Sequence, residues 1–243
     1  ESLDTYKGYT NPSDIVTGEY GDGNVLDERY WAAVELYLAG SDKTKDFITS
    51  TNLDDVKEGL GWADIGLYAN YDLARCDDEE LSKLGKDVIT AYADELVAQS
   101  EKTGYYLCFG SGFDWGSNMR VANEGMLLYM AGNVTGETAY IELAKHQKDY
   151  LLGTNALGYC FVTGYGSFCP ENPHHRPSQV AGQAMTGMLV GGPDRNLDDP
   201  YAIAVLTEES AAMSYVDNAQ SYSTNEVTIY WNSPLIYLLA AEQ

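Results

Sequence analysis

The stretch from Asp27 to Gly40, "DERYWAAVELYLAG", decides the fold class of this chain. Its apolar residues Trp31, Val34 and Leu38 recur at intervals of three to four, which is the period of an amphipathic helix. An acidic residue opens the stretch and a glycine ends it, as is common at helix starts and C-terminal ends. The pattern predicts a helix with one buried face.

Helical patterns of this kind recur along the chain, and strand patterns are rare. The helical patterns cover residues 62–75, 79–101, 118–132, 137–152, 205–216 and 224–241. Only "CFVTGY", residues 160–165, alternates as a strand does. Residues 153–198 are irregular and rich in glycine, and loops of such length are usually functional or disordered. We expect an all-α protein of antiparallel helices with long functional loops, in one domain.

Composition and charge limit the classes of partner. The chain has 243 residues, 44% of them hydrophobic, and a formal net charge of -23. This acidity argues against nucleic acid and anionic membranes as partners. No apolar run approaches the roughly 20 residues of a membrane-spanning helix. The chain begins at Glu1 without a signal peptide, and we expect a mature, trimmed or fragmentary product of a secreted protein.

Cysteines and aromatic residues leave alternatives open. The four cysteines show no CxxC spacing, which argues against a zinc cluster. Cys160 and Cys169 lie near each other in the sequence, which does not show whether they pair. The 20 tyrosines suit either a surface that stacks on sugar rings or an aromatic core.

Two of the three histidines lie in one loop, "GYGSFCPENPHHRPS", residues 164–178, here named the histidine loop. Arg176 offers a rigid fork of donors for hydroxyls or a carboxylate. The imidazoles of His174 and His175 can hydrogen-bond a hydroxyl or carry a proton. Adjacent side chains diverge, so the pair is a poor zinc site. The alternative is that Arg176 ties the loop to a carboxylate of the protein.

A second segment, "YVDNAQSYSTNEVTIYWNSPL", residues 215–235, contains a candidate acid. Ser223 and Glu226 have the spacing of a capping box, which would make Glu226 the third residue of a helix. Glu226 is also near several aromatic residues and Asp217. Desolvation would raise the pKa of such a carboxyl group, and a helix dipole would lower it. Both roles stay open on these residues alone.

Two further segments have a structural and a functional interpretation. In "GFDWGSNMRVANEG", residues 112–125, we expect Trp115 to be exposed and Ser117 or Asn118 to cap a helix. Asp27 and Glu28 either complement a helix dipole or supply hard oxygen ligands to calcium.

Together these segments resemble glycoside hydrolase family 9, the inverting cellulases. The stretch "FVTGYGSFCPENPHHRPS", residues 161–178, is similar to the first active-site signature. It departs from the signature at Phe168 and at Cys160, the residue directly before the stretch. The stretch at 215–233 matches the second signature completely. Supporting matches run in family order through "DERYWAAVELYLAG", "FDWGSN", "YLLGTNALG" and "MLVGGPDRNLDDPY".

The resemblance implies an (α/α)6 barrel, of which residues 1–243 are the C-terminal half of the catalytic domain. It implies hydrolysis of β-1,4-glucosidic bonds in cellulose or a related β-glucan, with inversion. The implied catalytic residues are Glu226 as general acid, Asp217 as its support and His174. The implied substrate-binding residues are Arg176, His175, Trp231, Trp115 and Tyr222. The alternative is a non-catalytic carbohydrate-binding relative that keeps the cleft.

The resemblance also implies a structural calcium ion and no organic cofactor. Its ligands would be Asp27, Glu28, Asp64 of "GWAD" and carbonyls near Gly23. The base of the family comes from an Asp-Ala-Gly-Asp-type pair near the start of the catalytic domain, and no such motif occurs here. We therefore expect an N-terminal portion of the same enzyme, as a separate chain or cleaved fragment, to supply the base.

Overall fold

The computed structural model describes residues 10–19, 21–56, 59–207 and 210–241. In these ranges it contains α1 (Leu26–Leu38), α2 (Lys45–Ser50), α3 (Gly66–Ala74), α4 (Glu79–Ser100), α5 (Ser117–Thr135), α6 (Thr138–Leu151), α7 (Arg176–Ala181), α8 (Pro200–Val205), α9 (Tyr222–Asn225) and α10 (Ile229–Ala240). The described residues form no strand, only two isolated β-bridges. The predicted all-α class is confirmed. None of the described helices has the length and apolarity needed to cross a membrane.

The long helices pack in sequence order. Residues 75–78 join α3 to α4 and residues 136–137 join α5 to α6, and such short connections produce antiparallel hairpins. α1 packs on α3, α4 packs on α5, and α10 packs on both α5 and α6. Five of the predicted helical segments are thus found as α1, α3, α4, α5 and α6, and the last, 224–241, contains α10.

α5 is the central helix of this arrangement. Its residues are buried on every side of the helix from Ser117 to Gly132, apart from Met119 and Arg120, as expected of a helix inside a domain. Gly125 allows the close approach of its neighbours, because a Cβ there would lie 3.0 Å from side-chain atoms of Gln147 in α6 and Leu238 in α10. This packing fixes the N-terminal end of α5, which follows the exposed Trp115.

The predicted helix at 205–216 is wrong. α8 begins earlier, at Pro200, because the Asp199 carboxylate caps it by accepting a hydrogen bond from the backbone N–H of Ala202 at 2.7 Å. The helix ends at Val205, and Leu206 is extended. Of the predicted segment, the described residues after Leu206 form only a 3-10 turn at Ala211–Met213.

The predicted strand "CFVTGY" is reduced to one antiparallel bridge between Val162 and Leu189. Gly164 and Gly166 both have φ of 78°, in the left-handed region that favours glycine. The chain therefore turns at residues 164–166 instead of continuing as a strand. The cysteines, which the sequence left undecided, are free thiols in this structure.

Candidate active site

Glu226 lies at the junction of two short helices. It directly follows α9, its backbone is extended (φ -64°, ψ 154°), and its side chain is half-buried. The indole N–H of Trp115 donates a hydrogen bond to its carboxylate, and His174 lies near enough to interact electrostatically. The structure therefore brings one residue from each of two other segments to the carboxyl group of Glu226.

The predicted capping box at Ser223 and Glu226 is wrong. The hydroxyl and backbone N–H of Ser223 both donate to Oδ2 of Asp199, at 2.8 and 3.0 Å, and Ser223 lies inside α9. The next helix is capped by Thr228, whose hydroxyl accepts from the N–H of Trp231 at 3.2 Å. Glu226 is left outside both helices, so its carboxyl group has no capping role.

Burial raises the pKa of Glu226 above its ordinary value. The electrostatic interaction with His174 and the hydrogen bond from Trp115 both lower the pKa of Glu226, and burial outweighs them. A carboxyl group with a raised pKa keeps its proton closer to neutral pH, which is the property that a general acid needs.

His174 is held by its backbone and by one ring nitrogen. Its N–H donates to the carbonyl of Asn225 at 2.7 Å. Its Nδ1 lies 2.6 Å from the carbonyl oxygen of Ala219, and because a carbonyl only accepts, Nδ1 carries a proton. Nε2 is the nitrogen left for a ligand. Tyr222 lies between this ring and Trp115, with ring centroids 6.0 and 5.2 Å away.

The side chain of Asp217 anchors the backbone of the histidine loop. Its carboxylate accepts from the N–H groups of Glu171 and Asn172, at 2.8 and 3.0 Å. It also accepts from the side-chain amide of Asn225 at 2.9 Å, next to Glu226. Asp217 thus connects the loop that carries His174 to the residue before the candidate acid.

The two residues after His174 differ in their surroundings. Nδ1 of His175 lies 2.9 Å from the hydroxyl of Ser178, which holds the ring against α7. Arg176 is the first residue of α7, and its side chain is exposed. It forms no ion pair with a described residue, so the alternative in which Arg176 ties the loop to a carboxylate finds no support within those ranges.

The two candidate tryptophans have different environments. Trp115 is 43% exposed, as expected of a surface on which a sugar ring stacks. Trp231 is only 3% exposed, with its ring packed between Gly116 and Gly191. The buried ring presents no free face to a sugar, which corrects the predicted substrate-binding role of Trp231.

The predicted cap of α5 is also wrong, because Ser117 and Asn118 turn toward another segment. The Ser117 hydroxyl donates to the carbonyl of Pro193 at 2.7 Å, and the Asn118 amide donates to the carbonyl of Val190 at 2.9 Å. Gly116, with φ of 81°, occupies the N-cap position and provides no side chain.

Sequence reasoning missed Asp199 and Gly191. The N–H of Gly191 donates to the carbonyl of Glu226 at 2.9 Å. Asp199 is 1% exposed; burial alone would raise its pKa, but hydrogen bonds from Ala202, Ser221 and Ser223 outweigh burial and hold the pKa below its usual value. An "LDDP" stretch ahead of a helix was the available signal, since Asp before Pro is a common helix start.

The chain is similar to known proteins in sequence and in structure. A family model described as Glycosyl hydrolase family 9 matches residues 1–239. The chain belongs to glycosyl hydrolase family 9. Family 9 relatives include a cellodextrinase of Butyrivibrio fibrisolvens, 33% identical over 96% of this chain and 46% of that protein. A xyloglucan-specific endo-β-1,4-glucanase of Bacteroides ovatus is 34% identical over 93% of this chain and 40% of the relative.

Solved structures confirm the predicted fold. An endoglucanase of Alicyclobacillus acidocaldarius superposes with a TM-score of 0.88 at 36% identity, over 97% of this chain and 46% of that one. The family 9 neighbours are (α/α)6 barrels, and this chain spans somewhat less than half the length of each relative named here. It is therefore a partial family 9 domain that forms about half of such a barrel.

The residues expected to bind calcium in family 9 provide unpaired oxygen atoms. Oδ1 of Asp27 and Oε2 of Glu28 are buried without a hydrogen-bond partner. Burial, together with Asp27 and Asp22 nearby, raises the pKa of Glu28 to about 7. The other oxygen of Asp27 accepts from the N–H of Ile65 at 2.8 Å, one residue after Asp64. This oxygen-only set suits calcium, which prefers carboxylate and carbonyl ligands.

The calcium prediction as a whole stays a prediction. Within the described ranges, no three or more His, Cys, Asp or Glu side chains are grouped closely enough to hold a metal ion. Asp64 lines a cavity between α4 and α5, and Gly23 is exposed at the turn before α1. Asp27 and Glu28 fit the ion best, and carbonyl oxygens would have to complete the site.

Proposed function

We propose that this chain provides the acid-bearing half of an inverting β-1,4-glucanase, acting on cellulose or a related β-glucan. The observation that carries the proposal is the half-buried Glu226 carboxyl group with its raised pKa, held between Trp115 and His174. Family membership supports the chemistry, because the relatives named above are glucan-hydrolysing enzymes by name.

In this mechanism Glu226 protonates the glycosidic oxygen as the bond to the anomeric carbon breaks. Nε2 of His174 and the guanidinium of Arg176 hold the hydroxyl groups of the departing sugar. Inversion requires a second carboxylate, roughly 6.5–9.5 Å from the first, that activates water on the opposite face of the ring. Trp115 and Tyr222 provide the aromatic surface on which a glucosyl ring stacks.

We assign the second carboxylate to an N-terminal portion of the same enzyme, present as a separate chain or fragment or as part of a longer chain. The exposed face of α10 supports this assignment, because Ile229, Ile236 and Leu239 are 91%, 65% and 41% exposed. Soluble proteins rarely leave such contiguous apolar faces uncovered. The missing half of a barrel would cover them.

Two further properties belong to the proposal. A calcium ion held by Asp27 and Glu28, with Asp64 and carbonyls near Gly23, would stabilise the start of α1 and take no part in bond cleavage. A secreted or cell-surface location suits the enzyme because polymeric β-glucan does not enter cells.

The proposal is tested on the complete enzyme by reducing-sugar release from carboxymethylcellulose, lichenan, xyloglucan and xylan. We expect activity on at least one of the β-1,4-glucans and its loss by at least about 100-fold in Glu226→Gln, as for removal of a general acid. Glu171→Gln is the matched control, because Glu171 is an exposed glutamate of the histidine loop. If the wild-type enzyme binds these glucans without hydrolysing any, the chain belongs to a carbohydrate-binding relative.

A further inference from the structure

Cys160 and Cys169 lie at the two ends of a turn in the polypeptide. The N–H of Cys160 donates to the carbonyl of Phe168, the residue before Cys169, at 3.0 Å. The turn folds back over Cys160, since a Cβ added to Gly166 would lie 2.9 Å from Cys160 Cβ and 3.8 Å from its Sγ. Cys169 directly follows Phe168, so this hydrogen bond places its backbone beside that of Cys160, and a disulfide needs such closeness of the two backbones.

The two thiols differ in accessibility. Cys160 is 4% exposed, whereas Cys169 is partly exposed. Burial raises the pKa of the Cys160 thiol, and the proximity of Cys169 raises it further, against a hydrogen bond to the Val162 carbonyl that lowers it. Both residues are free thiols here, so the pair is present in its reduced form.

The position of the pair connects it to the candidate active site. Cys169 is two residues before Glu171, whose N–H donates to Asp217 at 2.8 Å. Cys160 directly precedes Phe161, which is fully buried and contacts the ring of Tyr215. A covalent bond between the two cysteines would tie the start of the histidine loop to the core, two residues before the Asp217 anchor.

We propose that Cys160 and Cys169 form a reversible disulfide that closes residues 160–169 into a ring and fixes the first half of the histidine loop. The oxidant is a small-molecule disulfide such as oxidised glutathione. The Cys169 thiolate attacks one of its sulfur atoms and releases one glutathione thiolate. The Cys160 thiolate then attacks Cys169 Sγ and releases the second, so two protein thiols lose their protons to solvent and their two electrons reduce the reagent.

The test is peptide mapping of the full chain. The protein is incubated with oxidised glutathione at mildly alkaline pH and then denatured in the presence of an alkylating reagent, so that every free thiol reacts. It is digested with chymotrypsin, which can cleave after Tyr165 and Phe168 between the two cysteines. We expect the peptides that contain Cys160 and Cys169 to be joined without reductant and separate with it. Cys169→Ser should abolish the joined species, and Cys76→Ser, which removes a thiol elsewhere, should retain it.

Limited digestion of the native protein provides a second measurement. Tyr165 and Phe168 are 56% and 70% exposed, so the reduced loop presents cleavage sites. We expect oxidation to slow cleavage there by about tenfold or more, because the ring restricts opening of the loop. Complete alkylation of both cysteines after oxidation, or glutathione that remains on Cys169 without a link to Cys160, overturns the proposal.

Any effect of the disulfide on substrate binding by the histidine loop rests on the proposed function, whereas the peptide-mapping experiment does not. If the disulfide forms but glucan hydrolysis is absent, the proposed function fails and the cysteine proposal stands. If hydrolysis is present and no linked peptide is found, the cysteine proposal fails alone.

Discussion

The backbones of His174 and Glu226 lie side by side as a parallel β-bridge. The bridge joins the two segments that the sequence singled out, although about fifty residues separate them in the chain. Gly191 extends the pairing, because its N–H donates to the carbonyl of Glu226 at 2.9 Å. The imidazole and the candidate acid are therefore positioned by main-chain contacts, and side chains that hold this backbone should affect catalysis without contacting substrate.

Asp217 is the first such side chain. Asp217→Ala removes the acceptor for the N–H groups of Glu171 and Asn172 and for the amide of Asn225. We expect kcat on a soluble cello-oligosaccharide to fall by about tenfold or more, equivalent to about 1.4 kcal/mol of transition-state stabilisation. Asp217→Asn, which keeps one acceptor oxygen, should recover part of the loss.

The pH profile separates a positioning role for Asp217 from an acid–base role. Its removal should leave the basic limb of the kcat/KM profile in place. Asp149→Ala, at an exposed carboxylate on α6, is the control. Rates of Asp217→Ala within twofold of wild type would show that the anchor is dispensable.

Trp115→Phe tests the electrostatics of the acid. The indole N–H stabilises the ionised carboxylate of Glu226, so its removal should raise the pKa of Glu226 further. The basic limb of kcat/KM reports loss of the proton from the acid in the free enzyme. We expect this limb to move to higher pH in the variant, and we expect a higher KM because the smaller ring stacks less well on a sugar. A limb that moves to lower pH would contradict the assigned hydrogen bond.

Arg176→Lys tests the donor fork. The guanidinium is exposed and has no ion pair among the described residues, so its two-pronged geometry is available to substrate. Lysine keeps the charge but loses the planar fork. We expect kcat/KM to fall by about tenfold while the thermal midpoint stays unchanged. Arg75→Lys, on the C-terminal end of α3, is the control substitution. A change within twofold for Arg176→Lys would remove the residue from the substrate contacts.

Calcium should stabilise the protein most at neutral and higher pH. The folded-state pKa of Glu28 is raised to about 7, so without metal the stability falls as pH rises from about 4.5 to about 7 and the buried carboxyl group loses its proton. Calcium offsets that cost, and binding at 100 times Kd contributes about 2.7 kcal/mol.

Thermal melts of the chelator-treated protein, with and without added calcium at pH 5 and pH 7.5, measure this effect. The increase in Tm should be larger at pH 7.5 and absent in Asp27→Asn. Glu79→Gln, at the exposed start of α4, should respond as wild type. An equal increase at both pH values, or one retained by Asp27→Asn, would place the ion elsewhere.

The sequence predicted the elements with strong periodicity and failed where long-range polar contacts decide. α1, α4 and α6 each combine an apolar stripe with acidic residues near their start, so local pattern and tertiary packing agree. The capping box failed because Asp199, more than twenty residues upstream, takes both the hydroxyl and the N–H of Ser223. No local spacing encodes such a contact.

The candidate site shows the same division. Glu226, His174 and Trp115 were identified from motif resemblance, and the structure brings the three together. Trp231 was expected to bind substrate, but the packing of Gly116 and Gly191 against its ring shows that it is buried. The exposure of a side chain depends on the residues that pack against it. Neither the residue type nor its position in a motif specifies those residues.

The central claim is that Glu226 donates the proton to the leaving group, and dependence on the leaving group tests it most directly. The measurement compares kcat/KM of the complete wild-type enzyme and of Glu226→Gln on cellotetraose and on 2,4-dinitrophenyl β-cellobioside, whose phenolate leaves without protonation. We predict a loss of about 100-fold or more on cellotetraose and a loss below about tenfold on the aryl glycoside, since only the sugar leaving group needs the acid. Equal losses on both substrates, or no loss on cellotetraose, would contradict the assignment.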